Sequence, residues 1–76
     1  MQLQTLIVKA RIKKENIVLF SWIIESHEGM GIMRTIDAKE GLVEFMVSPF
    51  FEKEFFEVIT SLGEEIEFID NAISHG

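Results

Sequence analysis

The chain has 76 residues, of which 47% are hydrophobic, and it carries a net charge of −6 and no cysteine. A domain this small buries a limited fraction of its surface, and because disulfides and a structural metal held by a Cys and His cluster are both excluded, we expect it to be stabilised by self-association. The acidic surplus repels phosphate backbones and anionic lipid, so we predict that it binds neither nucleic acid nor membranes.

The hydropathy pattern contains no segment that suits a membrane span or an export signal. The longest apolar stretch, IVLFSWII, is interrupted by a serine and has eight residues, whereas crossing a bilayer takes about 20. The N-terminus MQLQTLIVKARIKK lacks the apolar region of a secretory signal. We therefore expect a cytoplasmic protein with a single domain over residues 1–76, of which 71–76 form a loose tail.

The first predicted element is a strand over residues 5–13, TLIVKARIK. Its side chains alternate with a period of two, which is typical of a strand with one face against a core. The predicted core face carries Leu6, Val8, Ala10 and Ile12, and the opposite face carries Ile7, Lys9, Arg11 and Lys13.

A helix is predicted next, with Asn16 as its N-cap and Gly29 as its C-terminal stop. The core-facing positions at helical spacing are Phe20, Ile23, Ile24 and His27. Val18 and Trp22 fall outside this set, beside a polar line formed by Ser21, Glu25 and Glu28. Two alternatives follow for Trp22, which either packs along the helix flank or belongs to an interface, where aromatic residues are enriched.

A hairpin, a second helix and a last strand complete the chain. Residues 31–37 and 42–48 are predicted strands joined by AKEG, in which Gly41 adopts the left-handed conformation of a hairpin loop. Ser48 and Pro49 mark the start of the second helix, which ends at Gly63. Its apolar stripe consists of Phe51, Phe55, Val58, Ile59 and Leu62. Residues 65–69, EIEFI, are the predicted last strand.

This order of elements predicts an α+β fold, a ferredoxin-like βαββαβ sandwich in which two helices cover one face of a four-stranded antiparallel sheet. The expected strand order is 4-1-3-2, which sets Lys9 and Arg11 against Glu44 and Glu67 on the open face as a solvated charge ladder. Apolar side chains are expected on that same face, namely Ile7, Leu42, Met46 and Ile69. A contiguous apolar area there predicts a dimer, through the open face, an edge strand or the first helix.

Arg34 has two alternative placements in the hairpin. If Ile32 and Ile36 face the core, Arg34 does too and must be paired, with Glu25 or Glu28 as the natural partner. If Met33 and Thr35 face the core, Arg34 is free in solvent. Asp37 precedes the loop and is predicted to accept hydrogen bonds from turn amides.

The pattern Glu25, Gly29, Arg34-Thr35, Asp37 and Gly41, followed by an alternating strand, resembles a small bacterial family of uncharacterised domains, the domain-of-unknown-function family numbered 4911. The resemblance covers roughly residues 5–70 and implies no activity. The layout is more distantly similar to ACT-type regulatory domains, which pair in dimers and bind amino acids near the first strand-helix loop. Here that loop is KKEN, without the glycine of an ACT-type loop.

We therefore predict a non-catalytic interaction or regulatory module that self-associates and binds a small ligand or protein partner, without a cofactor or metal. The residues assigned to a ligand site are Glu25, His27, Glu28, Gly29, Arg34 and Asp37. The residues assigned to an interface are Ile7, Val18, Trp22, Leu42, Met46 and Ile69. The alternative is a small enzyme or ion-binding protein that uses Glu25, His27, Glu28 and Arg34.

Overall fold

The computed structural model describes residues 5–62 and 66–69, which form four strands and two helices in the predicted order. Short 3-10 turns at Lys14–Asn16 and Pro49–Phe51 lead into the two helices. The strands are β1 (Leu6–Arg11), β2 (Gly31–Asp37), β3 (Leu42–Val47) and β4 (Glu67–Ile69), and the helices are α1 (Ile17–Ser26) and α2 (Glu52–Ser61). The predicted helix end at Gly63, the residue 65 start of the last strand and the tail at 71–76 lie outside the described residues.

The four strands form one antiparallel sheet in the order β2-β3-β1-β4, which confirms the ferredoxin-like prediction. The register sets Lys9 opposite Glu44 and Arg11 opposite Glu67. β2 contains a bulge between Thr35 and Asp37, which adds one residue to that strand before the hairpin turn. The sheet therefore has a central pair, β3 and β1, and two edge strands.

The core lies between one face of the sheet and the two helices. It is formed by Val8, Ala10, Ile12, Phe20, Ile24, Met30, Val43, Phe45, Val47, Phe55 and Ile59. The Phe55 ring packs edge-to-face against Phe45, with the ring centres 5.1 Å apart. The inward positions of β1 and the stripe of α2 are those that the sequence predicts.

The predicted turn chemistry is present at each end of the hairpin. Gly41 has a φ of 68° and its carbonyl accepts a hydrogen bond from the Ile12 amide at 2.8 Å. The Asp37 carboxylate accepts from the Lys39 amide at 3.1 Å. The Ser48 hydroxyl accepts from the Phe50 amide at 3.3 Å, as an N-cap residue does.

His27 departs from its predicted position on the core side of the first helix, because it is exposed. The helix ends at Ser26, and His27 takes an extended backbone conformation with φ −97° and ψ 100°. Its Nδ1 donates a hydrogen bond to the carbonyl of Ile23 at 2.8 Å, so the ring satisfies a carbonyl at the helix end and does not enter the core. The prediction that His27 faces the core was wrong.

Candidate functional site

The residues assigned to a ligand site are divided between two faces of the molecule. Glu25, His27 and Glu28 are exposed around the C-terminal end of α1, on the side of the sheet that the helices cover. Gly29 follows in the turn with a φ of 84°. Arg34 lies on the open face of the sheet, where it pairs with Glu44 of β3. The structure therefore does not bring the guanidinium together with the helix-end carboxylates.

The Arg34–Glu44 pair resolves the two alternatives for Arg34. Met33 packs against the core while Ile32 remains 52% exposed, so Arg34 faces the open side. It is not free, however, because its Nη2 donates to Glu44 Oε1 at 2.7 Å. Neither Glu25 nor Glu28 is the partner, since the register of the hairpin places Arg34 directly opposite Glu44.

Glu44 is the most buried charged residue in the part of the chain that the structure describes. It is 7% exposed although it points to the open face, since its neighbours on β2 and β1 are Arg34 and Lys9. The three residues form a cross-strand row of alternating charge, positive, negative, positive. A parallel row of Ile32, Met46 and Ile7 lies beside it, so the open face combines an apolar row with a charged row.

We expect the Arg34→Met variant to lose about 1–3 kcal/mol of unfolding free energy, because it leaves a covered carboxylate without its charged hydrogen bond. Methionine keeps the length of the apolar stem, so packing changes little. Urea denaturation followed by circular dichroism measures the loss.

The matched control is Arg11→Met, which breaks the Arg11–Glu67 pair at 3.3 Å. Both of its side chains are well exposed, 43% and 68%, so its loss should be at most about 1 kcal/mol. Equal losses of unfolding free energy in Arg34→Met and Arg11→Met would contradict the view that the burial of Glu44 makes its ion pair the more stabilising of the two.

The outer face of α1, defined as Val18, Leu19 and Trp22, is the most exposed apolar part of either helix. Val18 is 76% and Trp22 75% exposed, so Trp22 does not pack along the helix flank. The corresponding surface of α2 is polar and consists of Glu52, Lys53, Glu54, Glu57, Thr60 and Ser61. The two helices cover the same face of the sheet, but the outer surface of α1 is apolar and that of α2 is polar.

Neither of two clefts formed by the described residues holds a set of side chains suited to an evident reaction. One, of about 410 Å³, is lined by Trp22, Ile23, Glu25 and Ser26, and there the Ser21 hydroxyl donates to Glu25 at 3.3 Å. The other, of about 490 Å³, lies beside the Arg11–Glu67 pair. Among residues 5–62 and 66–69, no group of three or more His, Asp or Glu side chains is arranged to hold a metal ion.

The sequence-based prediction missed the pairing of Glu44 with Arg34 and the exposure of Leu19. Glu44 was assigned to a charge ladder with Lys9, but its pairing with Arg34 depends on the bulge in β2. Leu19 is 43% exposed and extends the apolar surface around Trp22. Because Leu19 directly precedes the core-facing Phe20 on the helix, its position in the sequence already indicated that it lies away from the core-facing side. Within the described ranges, neither helix is both long and apolar enough to cross a membrane.

Comparison with known proteins finds a protein family whose members this chain resembles in sequence. The family described as "Domain of unknown function (DUF4911)" matches residues 10–66, which is 57 of the 76 residues. No curated protein and no solved structure matches the chain. The matched segment runs from the second half of β1 to the residue before β4 and so contains both helices and the hairpin with Arg34. The chain belongs to the DUF4911 family.

Proposed function

We propose that this protein is a non-catalytic interaction module that pairs with a second copy of itself through the outer face of α1. The observation that carries the proposal is the composition of this helix. Seven of the eight residues from Ile17 to Ile24 are apolar, but only Phe20 and Ile24 are fully buried. A helix whose apolar side chains extend beyond its core-facing side normally has that additional surface covered as well.

The contrast with α2 supports the proposal from within the same molecule. α2 buries Phe55 and Ile59 and keeps polar side chains outward, as a helix that faces water does. The outer face of α1 breaks this rule at Val18, Leu19 and Trp22 together. Removing each large apolar side chain from water is worth about 1.5–3 kcal/mol when burial is complete, so covering this face is a substantial driving force.

Charge along α1 favours a second copy as the occupant. Lys13, Lys14 and Glu15 lie at the N-terminal end of the helix and together carry a net charge of +1, whereas Glu25 and Glu28 lie at its C-terminal end. An antiparallel pairing about a two-fold axis brings each basic end next to the acidic end of the other copy. Trp22 is the sixth of the ten helix residues, so it lies close to the axis. The helix dipoles also oppose each other in this arrangement.

The face of a single ten-residue helix is smaller than a standard protein interface. We therefore expect a reversible dimer with a dissociation constant in the micromolar range, not an obligate one. No observation favours the enzymatic alternative, because Arg34 lies on the opposite face of the sheet from Glu25, His27 and Glu28 and is already paired with Glu44.

We expect Trp22→Glu to weaken self-association by about 30-fold or more, because a central aromatic of an interface typically contributes at least about 2 kcal/mol. Size-exclusion chromatography with light scattering over a concentration series measures the dissociation constant. The fold itself should be unaffected, since Trp22 is 75% exposed.

The matched control is Phe50→Glu, which adds the same charge at another aromatic residue that is also 75% exposed. Its dissociation constant should equal that of the unaltered protein. A protein that remains a monomer at several hundred micromolar would refute the proposal, and so would equal weakening by the two substitutions.

A further inference from the structure

Among residues 5–62 and 66–69, no strand pairs with the outer edge of β2, which lies at one end of the sheet, and the backbone groups along that edge follow a regular pattern. The Ser48 amide donates to the Met30 carbonyl at 2.8 Å. The backbone groups of Met30 therefore point towards Ser48, the residue that directly follows β3. In an antiparallel pair these positions alternate, and Ile32 and Arg34 therefore bond to β3 as well. The amide and carbonyl groups of Gly31, Met33 and Thr35 consequently point away from the sheet.

Side chains beside this edge indicate which kind of strand fits it. Ile32 and Arg34 lie next to each other on the open face, and the residues opposite them on β3 are Met46 and Glu44. An antiparallel neighbour of β2 thus carries an acidic residue and, two positions later, an apolar one. The free side of β2 presents the same two side chains, with Ile32 52% exposed and the Arg34 side chain 66% exposed.

We propose that the β2 edge binds an extended segment of another protein by strand addition, and that this segment carries an acidic and an apolar residue two positions apart. The acidic side chain lies opposite Arg34 and the apolar one opposite Ile32. Strand addition takes its affinity from backbone hydrogen bonds and its specificity from alternate side chains. The segment spans Gly31 to Thr35, because the bulge between Thr35 and Asp37 ends the regular edge.

Arg34 has the capacity to bind a second carboxylate. A guanidinium has five N–H donors, and within the described residues the Arg34 guanidinium makes one hydrogen bond, to Glu44. An incoming carboxylate would extend the cross-strand row of Lys9, Glu44 and Arg34 by one further negative charge. Opposite charges directly across a strand pair stabilise the pairing.

A second copy of β2 fits this edge poorly. An antiparallel pair centred on Met33 sets Arg34 opposite Ile32 of the other copy. Neither the charged row nor the apolar row of the open face then continues into the second copy. β2 has one acidic residue, Asp37, and its carboxylate already accepts the amides of Lys39 and Glu40. The charge pattern therefore favours a different protein over self-pairing at this edge.

The test is a nuclear magnetic resonance titration of the ¹⁵N-labelled protein with two capped peptides, TTETITT and TTKTITT. We expect the first to give saturable shifts at the amides of Gly31, Met33 and Thr35. The second should bind about tenfold more weakly, which is the ratio expected for the loss of one charged hydrogen bond. Peptides that bind equally, or shifts that map elsewhere, would overturn the proposal.

Thr35→Pro supplies the matched variant, because it removes an outward-pointing amide and leaves the ladder to β3 intact. Proline is tolerated on the free side of an edge strand, so the spectrum should retain its dispersion while TTETITT binding is lost. Retained binding in a folded Thr35→Pro protein would overturn the proposal. So would concentration-dependent shifts at these amides without peptide, which would mean that two copies pair there.

Peptide binding and self-association use different surfaces, and one variant separates them. Trp22→Glu changes the outer face of α1 and leaves β2 unaltered, so it should bind TTETITT as the unaltered protein does. Loss of peptide binding in the folded Trp22→Glu protein would contradict the assignment of the segment to the β2 edge.

Discussion

The Gly41→Ala variant should lose at least about 3 kcal/mol of unfolding free energy, a large share of what a domain of this size has. Gly41 has a φ of 68°, and a left-handed residue with a side chain costs about 1–2 kcal/mol. A Cβ at this position would also lie 1.9 Å from the Ile12 carbonyl oxygen. Since that atom belongs to the backbone, the hairpin has to move away from the end of β1.

Gly29→Ala is the control that separates the two causes. Gly29 also has a positive φ, 84°, but its nearest neighbour would be a Phe51 ring carbon at 3.6 Å, an ordinary contact. Its loss should therefore be limited to the conformational cost of about 1–2 kcal/mol. Urea unfolding of both variants gives the comparison, and a loss at Gly41 no larger than that at Gly29 would contradict the close approach of the hairpin to Ile12.

The Phe55→Ala variant should lose about 3–5 kcal/mol, because it removes a fully buried ring from the centre of the core. Phe55 contacts Phe45 on the sheet and Phe56 on its own helix, with ring centres 5.1 Å and 5.0 Å away. The cavity would lie between α2 and β3, where the Phe55 ring packs against Phe45. Thermal and urea unfolding both report the change.

Phe50→Ala removes the same side chain from an exposed position and should change the unfolding free energy by no more than about 0.5 kcal/mol. Phe50 is 75% exposed. Similar losses for the two substitutions would mean that Phe55 does not form the centre of the core.

The fold was predictable because each element carries a strong local signal. The alternation of β1 predicts its buried positions, Val8 and Ala10, and the apolar stripe of α2 predicts Phe55 and Ile59. Positive φ at Gly41 and the capping hydroxyl of Ser48 follow from turn chemistry that depends on a few adjacent residues. These signals together limit the topology to one simple arrangement.

The partner of Arg34 was not predictable from the same signals, because it depends on one bulge. A regular hairpin that pairs Asp37 with Leu42 would set Arg34 opposite Phe45. The extra residue between Thr35 and Asp37 shifts the register so that Glu44 takes this place. Bulges leave little trace in hydrophobic periodicity, and the ion pair that results was therefore missed.

Side-chain exposure in and after α1 also depended on geometry beyond the sequence pattern. Helical spacing placed His27 with Phe20 and Ile24, but the helix ends at Ser26, so the spacing no longer applies at residue 27. For Trp22 the pattern allowed both packing and exposure. Its position opposite Phe20 and Ile24 on the helix decides for exposure, since nothing in the described residues lies above the helix layer to cover it.

Pairing of two copies through α1 is tested most directly by an isotope-filtered nuclear Overhauser experiment on a mixture of labelled and unlabelled protein. At millimolar concentration we predict intermolecular cross-peaks between the Trp22 indole and the Val18 methyl groups of the other copy. Intermolecular cross-peaks confined to the open sheet face, or no intermolecular cross-peaks at all, would contradict it.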